Sequence, residues 1–232
     1  MPDALFRSIE RFQGDKPWGR MLDAGTGAHS LAWCRGLGAS ELVAVTGTAA
    51  RSQELDCLLG NWTDQTLLAG ERFDTVLADY LVGAIDGFAP YFQSRLFHRL
   101  RRHVADRLYV VGMEPLEDED NLATRIARLR DACILLAGHR CYREYPRAWV
   151  LRSLESSGYR VLDSWAIPIV YRQRWVNGQL DVALRKLPWF KDPGLAAAMR
   201  NEIERLRSES LAQVPLTLGE DYVVVAEPVG PA

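Results

Sequence analysis

The run Met21-Leu22-Asp23-Ala24-Gly25-Thr26-Gly27 has the residue types needed to bring main chain against a ligand. Glycine tolerates positive φ and has no side chain to block a close approach. A helix starting just beyond it would offer unpaired N–H groups at its first turn. A dinucleotide site asks for G-x-G-x-x-G, with its acid well downstream. This chain instead has Gly25-x-Gly27-x-x-Ser30, with Asp23 immediately before the glycines. A carboxylate there would repel a pyrophosphate and answer a positively charged ligand.

Such a turn must be held between a strand and a helix, and the pattern around it supplies both. Residues 3–12 predict an amphipathic helix, with Leu5, Ile9 and Phe12 on one side. Arg20–Ala24 reads as a short apolar strand, and a helix is expected from about Ser30 to Arg35, ended by Gly36 and Gly38. Strands are expected at 41–45, 73–78, 107–112, 159–167 and 221–226, and helices at 91–104 and 147–156. This alternation predicts an α/β fold: a doubly wound, mostly parallel seven-stranded sheet with the last strand antiparallel and both faces covered. Two segments exceed the alternation. Residues 116–146 begin with the acidic run Glu117-Asp118-Glu119-Asp120, and residues 171–219 read as helices around Pro188 and Pro193. Loops that long are uncommon unless functional, so both are expected to be helical cap insertions in a single domain spanning 1–232.

Composition narrows the class. The 232 residues carry 28 Lys and Arg against 30 Asp and Glu, a net charge of -2. That argues against a nucleic-acid partner bound through bulk positive charge. No apolar run approaches the roughly 20 residues of a membrane span, and no membrane partner is expected. Cys34, Cys57, Cys133 and Cys141 are scattered with no C-x-x-C pair. They read as reduced thiols of a cytoplasmic protein, without a metal site.

In these features the chain resembles the class I S-adenosylmethionine-dependent methyltransferases. Leu22-Asp23-Ala24-Gly25-Thr26-Gly27 matches their first motif, an apolar strand, an acid and G-x-G. The strand ending at Val45, the stretch Gly60-Asn61-Trp62, the strand 73–78 with Asp79-Tyr80, and the strand ending at Gly112 follow in the family's order. The resemblance implies S-adenosylmethionine as cofactor, held by Asp23, Ala24, Gly25, Thr26, Gly27, His29, Thr46, Asn61, Trp62, Asp79 and Tyr80. It also shows departures. His29 stands where a third glycine is usual, Thr46 where an acid usually ends the second strand, and Asn61 where an acid usually lies near the adenine. Trp62 is expected to stack on the adenine.

Methyl transfer is an in-line displacement at an already activated carbon, so alignment supplies much of the rate. A general base is needed only when the acceptor must lose a proton. Tyr80, Asp86 and His139 are the catalytic candidates. Glu114, Tyr142, Tyr145, Tyr171, Arg172 and Trp175 are the candidates for holding the acceptor, the arginine suggesting an anionic group. The expected activity is methyl transfer to a small-molecule acceptor at N, O or C, by a monomer or homodimer. The alternatives are an RNA or protein methyltransferase, or a catalytically inactive S-adenosylmethionine-binding regulatory protein.

Overall fold

Why the strands read as unbroken apolar runs is plain at the first of them, β1 (Arg20–Asp23). Met21 and Leu22 are both fully buried, yet they enter different cores on opposite faces of the sheet. The same division repeats along β4 (Phe73–Asp79) and β5 (Val104–Met113). Val76, Leu108 and Val110 face one core, and Leu77, Tyr109 and Val111 the other. A strand covered on both faces has no polar side to show.

The computed structural model describes residues 4–116 and 120–230. Asp3 of the expected first helix and Glu117-Asp118-Glu119 of the acidic run lie outside the described residues. The other strands are β2 (Glu41–Thr46), β3 (Leu58–Leu59), β6 (Tyr159–Tyr171) and β7 (Leu216–Pro228). The sheet order is β3-β2-β1-β4-β5-β7-β6. β1 pairs in parallel with β2 and β4, β4 in parallel with β5, and β7 antiparallel with β5. The doubly wound sheet with an antiparallel last strand is therefore present.

The helices are α1 (Ala4–Gln13), α2 (Ala28–Arg35), α3 (Ala49–Leu55), α4 (Leu81–Ala84), α5 (Gln93–Arg101), α6 (Leu122–Leu136), α7 (Arg147–Ser156), α8 (Gln173–Leu184) and α9 (Pro193–Ser210). α1 buries Leu5, Phe6 and Ile9, with Phe6 stacked on Trp33 of α2 at 4.3 Å between ring centres. α5 is shorter than the predicted 91–104. Tyr91 sits at φ 65°, in the left-handed region, which keeps it out of the helix, and Val104 already opens β5. The structure adds α3, β3 and α4, which the pattern did not predict.

The chain divides into two compact units. The first comprises Met1–Glu114, Tyr142–Ile167 and Asp221–Ala232, and the second Pro115–Cys141 and Pro168–Glu220. The second has its own core, in which Ile126, Cys133, Val176, Leu180, Ala183, Ile203 and Leu206 of α6, α8 and α9 are buried. Its helix starts carry the expected signals. Asn121 accepts from the Thr124 N–H at 3.0 Å, and Asp192 caps α9 with Pro193 behind it. All four cysteines are free thiols. Among the described residues, no helix is long and apolar enough to cross a membrane.

Candidate functional site

The sheet reverses its winding between β1 and β4. In open α/β sheets ligands bind beyond the carboxyl ends of the strands at such a point. A cavity of about 390 Å³ lies there, within the first unit. Ala24–Gly27 after β1 form one wall, and Val45–Thr48 with Arg51 form the rim after β2. Gly60, Asn61 and Trp62 continue it, and Asp79, Tyr80, Leu81, Ala84 and Ile85 close the side after β4. Phe88 and Tyr142 complete the wall, their rings 6.3 Å apart.

Main-chain bonds hold these loops where the strands leave off. The Ala24 N–H donates to the Leu77 carbonyl and the Thr26 N–H to the Val45 carbonyl, each at 2.8 Å. The Gly60 N–H donates to the Thr46 carbonyl at 2.9 Å, and the Tyr80 N–H to the Val111 carbonyl at 3.0 Å. The two glycines of the motif differ in purpose. A Cβ on Gly25 would stand 2.8 Å from Leu81 Cδ1, so Gly25 answers packing inside the protein. Gly27 has φ -122° and ψ 171°, an extended conformation open to any residue. A Cβ there would meet only Arg51 Nη1, at 3.6 Å. Nothing in the protein requires Gly27 to be glycine, so the space it leaves is open to a ligand.

Asp23 lies beneath the loop, fully buried and outside the cavity wall. Its Oδ2 accepts from the Ser30 hydroxyl at 2.8 Å, and Ser30 Oγ in turn accepts from the Gly27 N–H at 3.1 Å. Burial pushes the Asp23 carboxyl up to about 6, against the hydroxyls of Thr26 and Ser30 and the Gly25 N–H, which favour the charged form. The acid of the motif therefore tensions the glycine loop from below. His29 is exposed and packs its ring 5.2 Å from Phe6, also outside the wall.

Thr46 and Asn61 do line the cavity. The Asn61 amide is taken up by the protein. Its Nδ2 donates to the Phe88 carbonyl at 3.0 Å, and its Oδ1 accepts from the Thr63 N–H at 3.0 Å. Trp62 requires a correction. It borders the cavity but is only 3% exposed. Its indole N–H donates to the Ala24 carbonyl at 2.7 Å, and its ring lies 5.3 Å from the Arg99 guanidinium and 5.7 Å from His103. Trp62 thus ties the glycine loop to the core and is not a free platform for an adenine. Trp62→Phe, which removes the N–H together with one ring of the indole, should cost at least the roughly 1–3 kcal/mol of a buried carbonyl left without its partner, with a further cost for the space the ring leaves. Denaturant unfolding measures this, and unchanged stability would remove Trp62 from that role. Trp62→Ala should cost about 3–5 kcal/mol and compromise the fold.

Tyr80 stands at the turn out of β4 with φ 47° and ψ 18°, a left-handed conformation costly for a residue with a side chain. Burial is the main cause that raises its phenol far above the ordinary range, followed by the Asp221 carboxylate, to which it is hydrogen-bonded, and by Asp79 and Glu144. These surroundings favour the protonated phenol, which donates to the Asp221 carboxylate.

The other expected site residues are spread. Asp86 is 4% exposed, and its Oδ1 accepts from Gln93 Nε2 at 3.0 Å, which fixes the turn before α5; it does not line the cavity. Glu114 accepts from the Arg147 N–H at 3.1 Å at the start of α7. Tyr145 packs on Trp149 at 4.3 Å, and its carbonyl accepts from the Tyr222 hydroxyl at 2.7 Å. His139 belongs to the second unit, edge-on to Trp189 at 5.4 Å. Tyr171, Arg172 and Trp175 belong to it as well, with Tyr171 buried against Trp175 at 4.1 Å. The structure thus brings Ala24, Gly25, Thr26, Gly27, Thr46, Asn61, Trp62, Asp79, Tyr80 and Tyr142 to one cavity wall. The sequence reading missed Gly47, Arg51, Leu81, Ile85 and Phe88 of that wall. A glycine after a strand, with an arginine in the following turn, was the available signal for the first two.

No family model and no curated protein sequence matches the chain. Solved structures do match in fold. A Bacillus halodurans protein provisionally assigned as a methyltransferase superposes with a TM-score of 0.64 at 13% identity, over 98% of this chain and 100% of that one. Mycolic acid cyclopropane synthase, solved with S-adenosylhomocysteine, gives 0.56 at 16% identity, over 97% of this chain and 84% of that one. A [4+2]-cyclase gives 0.51 at 15% identity, over 97% and 81%. With the strand order and the cavity at its reversal point, these matches identify the fold as that of the class I S-adenosylmethionine-dependent methyltransferases.

Proposed function

We propose that the cavity binds S-adenosylmethionine and that the protein transfers its methyl group to a small-molecule acceptor, at nitrogen, oxygen or carbon. The observation that carries this is the open cradle at Gly27, at the reversal point of this fold, where no internal contact calls for glycine. The residues fit the group. Main chain of Gly25–Gly27 can lie against it, Thr46 offers a hydroxyl on the β2 rim, and Asp79 is the acid of the wall. When bound, the cofactor supplies a methyl group already activated on a sulfonium.

The chain's own residues then have to position and shield. Leu81, Ile85 and Phe88 present apolar surface that keeps water from one side of the cavity. The Tyr80 hydroxyl, hydrogen-bonded to Asp221, helps hold the turn after β4 that lines the cavity. Asp79, Glu144 and Asp221 around it make the vicinity of Tyr80 electronegative. This favours a neutral or cationic acceptor over the anion expected from Arg172, which belongs to the second unit.

The test is thermal. S-adenosylhomocysteine at about 100 times its Kd should stabilise the native state by about 2.7 kcal/mol, which for a chain of this size raises Tm by about 5–10 °C. No shift at millimolar ligand would sink the cofactor assignment. A screen of metabolite pools for cofactor-dependent gain of one methyl mass then identifies the acceptor. A second reading, binding without methyl transfer, is favoured by Thr46 standing where an acid would hold a ribose. It predicts the thermal shift with no methylated product from any pool.

A further inference from the structure

We infer that the β2 rim of this cavity is built to take an anionic, phosphate-bearing ribose in preference to a free ribose diol, with Arg51 as the residue that decides it. This rests on the cavity being an adenine-nucleoside site. It concerns the ribose rim alone, so that among nucleosides without a methionine chain the phosphate-bearing ones bind best, whereas S-adenosylmethionine, whose diol is free, must draw its affinity from the glycine loop and the rest of the wall.

A free diol is best held by a carboxylate at the end of the second strand, because both hydroxyls can donate to it. Where a phosphate replaces a hydroxyl, a carboxylate would repel it, and a nearby arginine takes its place. The rim here follows the second pattern. Thr46 ends β2, is 5% exposed, lines the cavity, and its hydroxyl has no hydrogen-bond partner among the described residues. Thr48 lines the same rim and makes no side-chain cap to α3. Two hydroxyls are therefore free to donate. Arg51, on the first turn of α3, is the one basic residue of the wall. Among the described residues its side chain has no ion pair, and Nη1 lies beside the open face of Gly27. The one acid of the wall, Asp79, ends β4, whereas Arg51 follows β2, two strands away in the sheet. A guanidinium and two hydroxyls without partners suit a phosphomonoester, which offers acceptor oxygens alone.

The experiment compares adenosine, 2′-AMP, 3′-AMP and 5′-AMP by calorimetry on the wild-type protein, Arg51→Gln and Arg51→Glu, with S-adenosylhomocysteine measured in parallel. Arg51 is exposed and α3 buries none of its residues, so both variants should fold, which an unchanged Tm without ligand verifies. The expected result is that 2′-AMP or 3′-AMP binds about tenfold or more tightly than adenosine. Arg51→Gln should bring that ratio to about one, and Arg51→Glu should invert it. If S-adenosylhomocysteine binds but neither phosphate is preferred, or the preference survives Arg51→Gln, the inference is overturned and the cofactor assignment stands. An equal gain for 5′-AMP would overturn it too, by placing the anion at the glycine loop. If neither adenosine nor S-adenosylhomocysteine binds, the nucleoside reading fails and takes the inference with it.

Discussion

Gly27→Ala should abolish the thermal shift given by S-adenosylhomocysteine while leaving the protein without ligand as stable as before, or slightly more so. The backbone at Gly27 is extended, and the added methyl would meet nothing closer than Arg51 Nη1 at 3.6 Å. Alanine at a compatible position stabilises by about 0.4–1 kcal/mol, through the unfolded chain. The same methyl would fill space that a ligand main-chain contact needs. Gly25→Ala is the useful contrast. Its Cβ would come within 2.8 Å of Leu81, so it should lower Tm even without ligand, by an amount corresponding to about 1–3 kcal/mol of overpacking. A full ligand shift in Gly27→Ala would show that the cradle is not where the ligand lies.

The second large effect is a pH dependence carried by Asp23. Burial in the folded protein holds its carboxyl at about 6, above its ordinary value of 3.8. Between those values the folded state keeps a proton that the unfolded chain has released. Stability from this group is therefore present at low pH and is lost as pH rises from about 4 to about 6. A displacement of that size corresponds to roughly 3 kcal/mol. Denaturant unfolding from pH 4 to pH 7 should show the wild-type protein losing stability relative to Asp23→Asn by this order. Parallel profiles for the two proteins would place Asp23 in a solvated setting and remove the argument. A cationic ligand above the loop should favour the charged carboxylate, so S-adenosylmethionine should bind more tightly above pH 6 than below it, and less steeply so in Asp23→Asn.

The motif around Gly25 and the strand alternation were legible because each is enforced locally. A strand buried on both faces must be apolar throughout, as at 73–78 and 107–112, and a turn into a helix leaves its glycines in place. What escaped has no local cause. β3 is two residues long, and α3 buries none of its side chains, so neither carries a periodicity to read. Trp62 follows Asn61, where the family's order places the adenine, and so was expected to stack; its ring is instead buried against Arg99 and His103, far along the chain. Asp23 resembled a ligand group, and only the structure shows Ser30 coming round to bind it. The acceptor candidates were gathered from loops, and which loops share a unit depends on pairings such as α6 with α8 and α9, which no single segment announces.

The place of β7 between β5 and β6 bears on how the protein is made. During synthesis β1, β2, β4 and β5 emerge in an order that lets each find its neighbour at once. β6 emerges before β7, the strand that must lie between it and the rest. Until residues 221–226 have left the ribosome, β6 has no site on the sheet, and the β5 edge, with Val110 and Val111, stays exposed. Such an unpaired apolar edge is open to wrong partners. The nascent chain should therefore expose this edge until β7 is made, and truncation before β7 should yield aggregates rather than a shortened folded product.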